Sequence, residues 1–104
     1  MATSHATSLE LKAPETLGLE TRDSIRRDAI KVLDEMPVGN GRLLIDLANT
    51  RSVDSAGLGA LMLIQRHAAE RRQSVVLSNI NDELRFLLML TKLDELFELV
   101  AADA

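Results

Sequence analysis

Residues 43–61, LLIDLANTRSVDSAGLGAL, pass from an apolar run into a segment with helical spacing. The run Leu43 to Leu47 is typical of a central strand that is buried on both faces. Residues 48–53 are predicted to form a connecting loop. From Gly57 to Arg72, apolar residues recur at the spacing of one helix face. A strand that leads through a short loop into a helix is the first part of a βαβ unit, so this stretch indicates an α/β fold.

The alternation of strand and helix extends over most of the chain. The predicted elements, in chain order, are a strand at 8–12, a helix at 20–36, a strand at 43–47, a helix at 57–72, a strand at 74–78, a helix at 82–90 capped by Asn81 or Asp82, a helical turn at 93–96 and a strand at 97–100. Right-handed crossovers between such strands predict a sandwich with a largely parallel central sheet of about four to five strands and helices packed on it. An antiparallel strand at one edge is the alternative.

Composition limits the classes of site. The chain has 104 residues, of which 46% are hydrophobic, and this size and composition predict one domain over residues 1–104. The polar residues 1–7 are expected to be frayed. It has no cysteine, and its two histidines, His5 and His67, lie far apart in the sequence. Disulfides are therefore excluded, and neither a metal site nor a cofactor is expected.

Charge and hydropathy address location and partners. The net charge is −4, and Trp and Tyr are absent, so neither phosphate contacts nor base stacking favours a nucleic-acid partner. The basic cluster of Arg66, His67, Arg71 and Arg72 is typical of the solvated end of a helix. No apolar run approaches the ~20 residues of a membrane span. The N-terminal MATSHATS lacks the parts of a signal peptide, so a cytoplasmic protein without membrane insertion is expected.

The junction from Val53 to Leu61 is the most informative segment for function. Asp54 or Ser55 is expected to cap the helix, and Gly57 and Gly59 leave its first turn open to the close approach of another backbone. Strand ends of this kind are also where open parallel sheets bind ligands. The alternative is that this segment has only a structural role, because a capped transition from loop to helix uses the same residue types. No Lys follows the glycines, so they do not form a phosphate-binding loop.

The run from Leu43 to Val100 resembles the STAS family, whose members include bacterial anti-sigma factor antagonists. The resemblance is carried, in order and spacing, by residues 44–47, 53–61, 75–77 and 88–97. Residues 1–40 match the family only in outline. The resemblance implies a STAS-like sandwich, in which the strand–loop–helix junction contacts a partner protein.

In the antagonists of this family, the partner is a serine kinase that also sequesters a sigma factor. The kinase phosphorylates a Ser or Thr at the helix start, a phosphatase reverses the reaction, and the unphosphorylated form binds the kinase. In this sequence, the resemblance therefore implies the candidate partner-binding residues Asp54, Ser55, Ala56, Gly57, Leu58 and Gly59, with Ser55 as the candidate phosphorylation site.

Ala56 departs from the pattern, because many antagonists read Asp-Ser-Ser-Gly and use the second Ser as the acceptor. Three hypotheses remain. Ser55 is the acceptor, or the partner is bound without phosphorylation, or the chain belongs to another STAS branch. One such branch consists of accessory subunits that bind the ATPase of an ABC-type lipid transporter. If Ser55 does not accept a phosphate, its expected role is that of a helix cap.

Catalysis is not expected from this sequence. Asp46 and Asp54 lie near opposite limits of the strand–loop segment, with no second catalytic group in evidence. A transient protein binder of this size is expected to be a monomer.

Two features near the C-terminus leave alternatives open. Phe86, Met89 and Leu90 fall on a different side of their helix from Leu84 and Leu88, so either a wide face is buried or an apolar patch is exposed. Lys92 stands where many relatives have Gly, which strains the turn if its φ is positive.

Overall fold

The computed structural model describes residues 7–101. Its elements are β1 (Thr7–Lys12), β2 (Thr16–Leu17), α1 (Arg22–Glu35), β3 (Gly41–Asp46), β4 (Ser52–Val53), α2 (Ser55–Glu70), β5 (Ser74–Ile80), α3 (Asp82–Leu90), a 3-10 turn (Leu93–Glu95) and β6 (Glu98–Ala101). The predicted alternation is confirmed. Of the residues expected to be frayed, 1–6 lie outside the described part of the chain, whereas Thr7 begins β1.

The main sheet has four strands in the order β1-β3-β5-β6, and every neighbouring pair is parallel. The predicted α/β class and parallel sheet are thus confirmed. The alternative of an antiparallel edge is wrong, because both edge strands are parallel to their neighbours, β1 to β3 and β6 to β5. A second, two-stranded parallel sheet pairs β2 with β4 and lies partly in the predicted loop at 48–53.

The hydrophobic core lies between the sheet and its helices. In β3, Leu43 and Ile45 are fully buried, and their partners in β5, Val75 and Leu77, face the same side. Helices α1 and α2 pack against each other and against these strands. The α2 residues predicted for the core face, Ala60, Leu61, Ile64 and Ala68, are buried, whereas Leu58 is half-buried.

The other face of β3 is only partly covered, so the prediction that this strand is buried on both faces was wrong. Leu44 and Arg42 alternate with the buried residues and are half-buried. An Arg42 Nη2 donates to Glu98 Oε2 at 2.9 Å, and this ion pair joins β3 to β6 across β5. Val76 of β5 lies between Leu44 and Glu98 in the register of the sheet and is 1% exposed.

In the turn after α3, Lys92 adopts a backbone conformation that is unfavourable for residues other than Gly. Lys92 has φ 60° and ψ 18°, so the strain expected for a positive φ is present. The left-handed conformation costs about 1–2 kcal/mol for a residue with a Cβ, whereas Gly loses about 0.5–1 kcal/mol in chain entropy. We expect Lys92→Gly to raise the free energy of unfolding in urea by about 0.5–1 kcal/mol. Lys92→Ala is the control, and an equal gain from both variants would contradict this explanation.

None of the helices within residues 7–101 combines the length and the apolar character needed to cross a bilayer.

Candidate functional site

The start of α2 is held by the carboxylate of Asp54. Its Oδ1 accepts the Gly57 N–H at 3.0 Å, and its Oδ2 accepts the Leu19 N–H at 3.2 Å. The Asp54 N–H in turn donates to the Leu17 carbonyl at 3.1 Å. Asp54 is therefore the N-cap, and it also fastens the segment after β2 to the helix. The alternative in which Ser55 caps the helix is wrong.

Gly57 and Gly59 have different structural roles. A Cβ on Gly57 would lie 2.0 Å from the Leu17 carbonyl oxygen, so the backbone that approaches this residue is the chain's own. A Cβ on Gly59 would have no atom within 4 Å apart from its chain neighbours and the backbone of α2 itself. Gly57 is thus required for internal packing. Gly59 leaves an open place on the surface of α2.

The six candidate residues divide into an outward and an inward group. Ser55 is exposed, and its hydroxyl makes no hydrogen bond within the described residues 7–101. Ala56 and Gly59 are half-buried on the same side of α2. Gly57 is buried, and Leu58 packs against the core. Asp54 is also exposed, although both of its carboxylate oxygens accept hydrogen bonds from the chain's own backbone. Asp54, Ser55, Ala56 and Gly59 are therefore the members of the set that present an accessible surface.

The structure adds residues of α1 to this surface. Arg22, Asp23 and Arg26 line one groove with Ser55, Ala56, Gly59, Ala60, Met62 and Leu63. We call this the α1–α2 groove. Met62 and Leu63 are each 45% exposed, and they could have been suspected from the sequence, because they fall outside the predicted core face of α2. Nothing in the spacing along the chain indicated that α1 lies opposite Ser55.

Comparison with known proteins identifies the family. A family model described as "Mlab, STAS domain" matches residues 3–101. The chain belongs to the STAS domain family. A STAS-domain containing protein of Pseudomonas aeruginosa strain UCBPP-PA14 is 33% identical over 58 residues, which are 56% of this chain and 57% of that protein. The match thus spans little more than half the length of this curated relative.

Two solved structures share the fold of this STAS domain. A proposed anti-sigma factor antagonist from Thermotoga maritima has a TM-score of 0.76 at 20% identity, with 93% of this chain and 80% of that chain covered. A sulfate transporter family protein from Wolinella succinogenes has a TM-score of 0.65 at 19% identity, with 91% and 75% covered. The predicted STAS-like architecture is confirmed by these likenesses.

The STAS domain also exposes a second apolar surface. Phe86, Met89 and Leu90 of α3 are 62%, 55% and 66% exposed, and Leu96 is 43% exposed. We call these four residues the α3 patch. The alternative in which a wide face of α3 is buried is therefore wrong. Phe86 and Leu90 also line a groove with Ser52 and Val53 of β4, so the α3 patch borders the strand that leads into α2.

The carboxylates of this STAS domain near the strand ends serve as hydrogen-bond acceptors. The Gly57 N–H holds the pKa of Asp54 below its usual value, with smaller effects from the Leu19 and Ala56 N–H groups and from Arg22. The pKa of Asp46 is likewise lowered, by Asn79 first and by the Ala48 N–H second. Carboxylates with lowered pKa values are weak bases. Among residues 7–101, no group of three or more His, Cys, Asp or Glu is placed to hold a metal ion.

The lowered pKa of Asp54 predicts a pH-dependent contribution to stability. This contribution is present above the unfolded pKa of about 3.9 and is lost as the pH falls through the lower folded pKa. We expect Asp54→Asn to reduce the melting temperature at pH 7, and the difference from wild type to shrink toward pH 2. The control is Asp28→Asn, since Asp28 is exposed and makes no hydrogen bond within the described residues. A deficit that is the same at both pH values would contradict the role given to the charge.

Proposed function

We propose that this STAS domain is a partner-switching regulator, an anti-sigma factor antagonist that binds a serine kinase/anti-sigma factor and is controlled by phosphorylation of Ser55. The observation that carries the proposal is the exposed Ser55 hydroxyl at the start of α2, which makes no hydrogen bond to any residue between 7 and 101, while Asp54 already supplies the cap. A hydroxyl that is not needed for the fold is available to a kinase. Its modification leaves the cap in place.

The surroundings of Ser55 supply a contact surface. Ala56, Gly59, Met62 and Leu63 give the α1–α2 groove an apolar side next to the hydroxyl. A partner that covers these residues also removes water from Ser55. A phosphate there adds about −1.5 to −2 charge at neutral pH. Burying that charge in the interface needs to cost only about 1.4 kcal/mol to weaken binding tenfold.

A second candidate function is an accessory STAS subunit that binds the ATPase of an ABC-type lipid transporter. The observation that favours it is Ala56, which stands at the position where many antagonists carry the acceptor Ser. This candidate uses the same outward surface without a phosphorylation step. Both candidates describe a cytoplasmic protein that acts by binding another protein, as a monomer, without catalysis and without a nucleic-acid ligand. A phosphatase is a further partner under the first candidate only.

Affinity capture from a lysate of the native host, with mass spectrometry of the partners and of Ser55, tests the proposal. A serine kinase in the bound fraction and phosphate on Ser55 in the unbound fraction would support it. A transporter ATPase with unmodified Ser55 would contradict it and favour the second candidate.

Two surface variants test whether the captured partner binds at the α1–α2 groove. Met62→Glu places a charge on the proposed contact surface and is expected to abolish recovery of the partner. Val38→Glu is the matched control, because Val38 is also exposed, at 62%, but lies in the loop between α1 and β3. Equal recovery with both variants would place the partner elsewhere on the domain.

A further inference from the structure

One backbone donor at the start of α2, the Gly57 N–H, is already occupied. The N–H groups at a helix start normally favour a bound phosphate. Here the Asp54 carboxylate accepts from Gly57 and from Leu19, so it takes the place that an anion would occupy. A phosphate on Ser55 also comes next to the negative charge of Asp54. It therefore needs positive partners from another element.

Two arginines of α1 are placed to supply that charge. Arg22 and Arg26 lie one turn apart and line the α1–α2 groove together with Ser55. Neither guanidinium makes a hydrogen bond within the described residues. Their nearest carboxylate oxygen, Asp23 Oδ1, lies at 4.0 Å from Arg22 Nε and 3.7 Å from Arg26 Nη2, and the side chains are exposed. Such pairs contribute little to stability and are easily exchanged.

Two other arginines of the domain, Arg42 and Arg71, form hydrogen bonds that join elements of the fold. An Nη2 of Arg42 donates to Glu98 at 2.9 Å, and an Nη2 of Arg71 donates to the Met36 carbonyl at 3.1 Å. Within residues 7–101, Arg22 and Arg26 make no such bond, and they line the same groove as the candidate phosphorylation site. Guanidinium groups form paired, charge-assisted hydrogen bonds with phosphate oxygens.

We propose that Arg22 and Arg26 bind the phosphoryl group carried on Ser55 and hold it in the α1–α2 groove. This inference rests on the proposed phosphorylation of Ser55. The proposal adds a second cause for release of the partner, besides the charge of the phosphate. The phosphate is held by the two arginines and covers the groove beside Gly59 and Leu63. The partner then loses its contact surface, in addition to the cost of removing the phosphate from water.

The proposal is tested on the full chain with phosphoserine incorporated at position 55 during translation, so that neither kinase nor partner is needed. The readout is the second ionisation of the phosphate, followed by 31P NMR over pH; free phosphoserine has a pKa of about 6. Bound arginines stabilise the dianion. We expect proton affinity about threefold to tenfold lower than in a short unstructured phosphoserine peptide.

Matched variants assign the effect to the two arginines. The double variant Arg22→Gln, Arg26→Gln is expected to restore most of the proton affinity, whereas Arg27→Gln, an exposed change on the same helix outside the α1–α2 groove, is expected to leave it unchanged. A phosphate titration that is identical in the double variant and in the unsubstituted phosphoprotein would overturn the proposal. Circular dichroism of each variant checks that α1 is intact.

The outcome is separable from that of the proposed function. If the double variant does not change the titration but phosphoserine at 55 still releases a kinase, the partner-switching function stands and the arginine proposal fails. If the titration responds to the double variant but no partner distinguishes phosphorylated from unmodified Ser55, the arginine site stands and the partner-switching function fails.

Discussion

Replacing Gly57 with alanine is expected to lower the free energy of unfolding by about 3 kcal/mol, whereas Gly59→Ala is expected to raise it by about 1 kcal/mol. The added Cβ at Gly57 would meet the Leu17 carbonyl oxygen at 2.0 Å, and this atom belongs to the backbone of β2. Neither group can rotate away, so the first turn of α2 has to separate from β2. At Gly59 the space is open, and only the gain in helix propensity remains.

Urea unfolding of the two variants beside wild type measures both effects. The pair is its own control, because the same chemical change is made in the same helix, in positions separated by one residue. Equal effects of the same sign would show that the close contact between Gly57 and Leu17 does not hold the start of α2.

Phosphoserine at position 55 is expected to weaken binding of the captured partner at least tenfold, which corresponds to about 1.4 kcal/mol. The cause is the phosphate charge at the outward surface of α2, where the partner would have to remove it from water. Ser55→Asp, with a smaller charge, is expected to weaken binding less. Ser55→Ala is expected to bind at least as well as wild type, since Asp54 and not Ser55 caps the helix.

Isothermal titration calorimetry of these proteins with the purified partner gives the affinities. Ser74→Asp is the control, because Ser74 is exposed where β5 begins, at the end of the parallel strands opposite to the one from which the chain enters α2. Undiminished affinity of the phosphoserine protein would contradict a switch at Ser55. A large loss with Ser55→Ala would show that the hydroxyl itself is part of the contact.

The main elements of the fold follow from the sequence because their patterns are local. The apolar run after Leu43 and the helical spacing after Gly57 predicted β3 and α2, and the Asn81 cap of α3 is confirmed by its hydrogen bond with the Leu84 N–H at 2.7 Å. Strands β2 and β4 have two residues each, so they are too short to show a periodicity. The half-buried face of β3 carries Arg42, whose partner Glu98 is far away in the chain, so the run of apolar residues in β3 did not reveal it.

The site was predicted only in part. The Asp-Ser-Ala-Gly string located the start of α2, but it could not decide between Asp54 and Ser55 as the cap. Asp54 is the cap because it accepts the Gly57 N–H, and its second oxygen is held by the Leu19 N–H from a different part of the chain. The same folding brings Arg22 and Arg26 to Ser55. Contacts between elements that are far apart in the chain cannot be predicted from the spacing of residues within one segment.

The central claim is that the partner binds at the outward surface of α2 and the adjoining residues of α1. The most direct measurement is a 15N chemical-shift map of the labelled domain during titration with the captured partner. The account predicts that the largest changes fall on the amides of residues 55–63, of Leu19 and of the first turns of α1. Changes confined to Phe86, Met89, Leu90 and Leu96 of the α3 patch, with the amides of α2 unchanged, would contradict it.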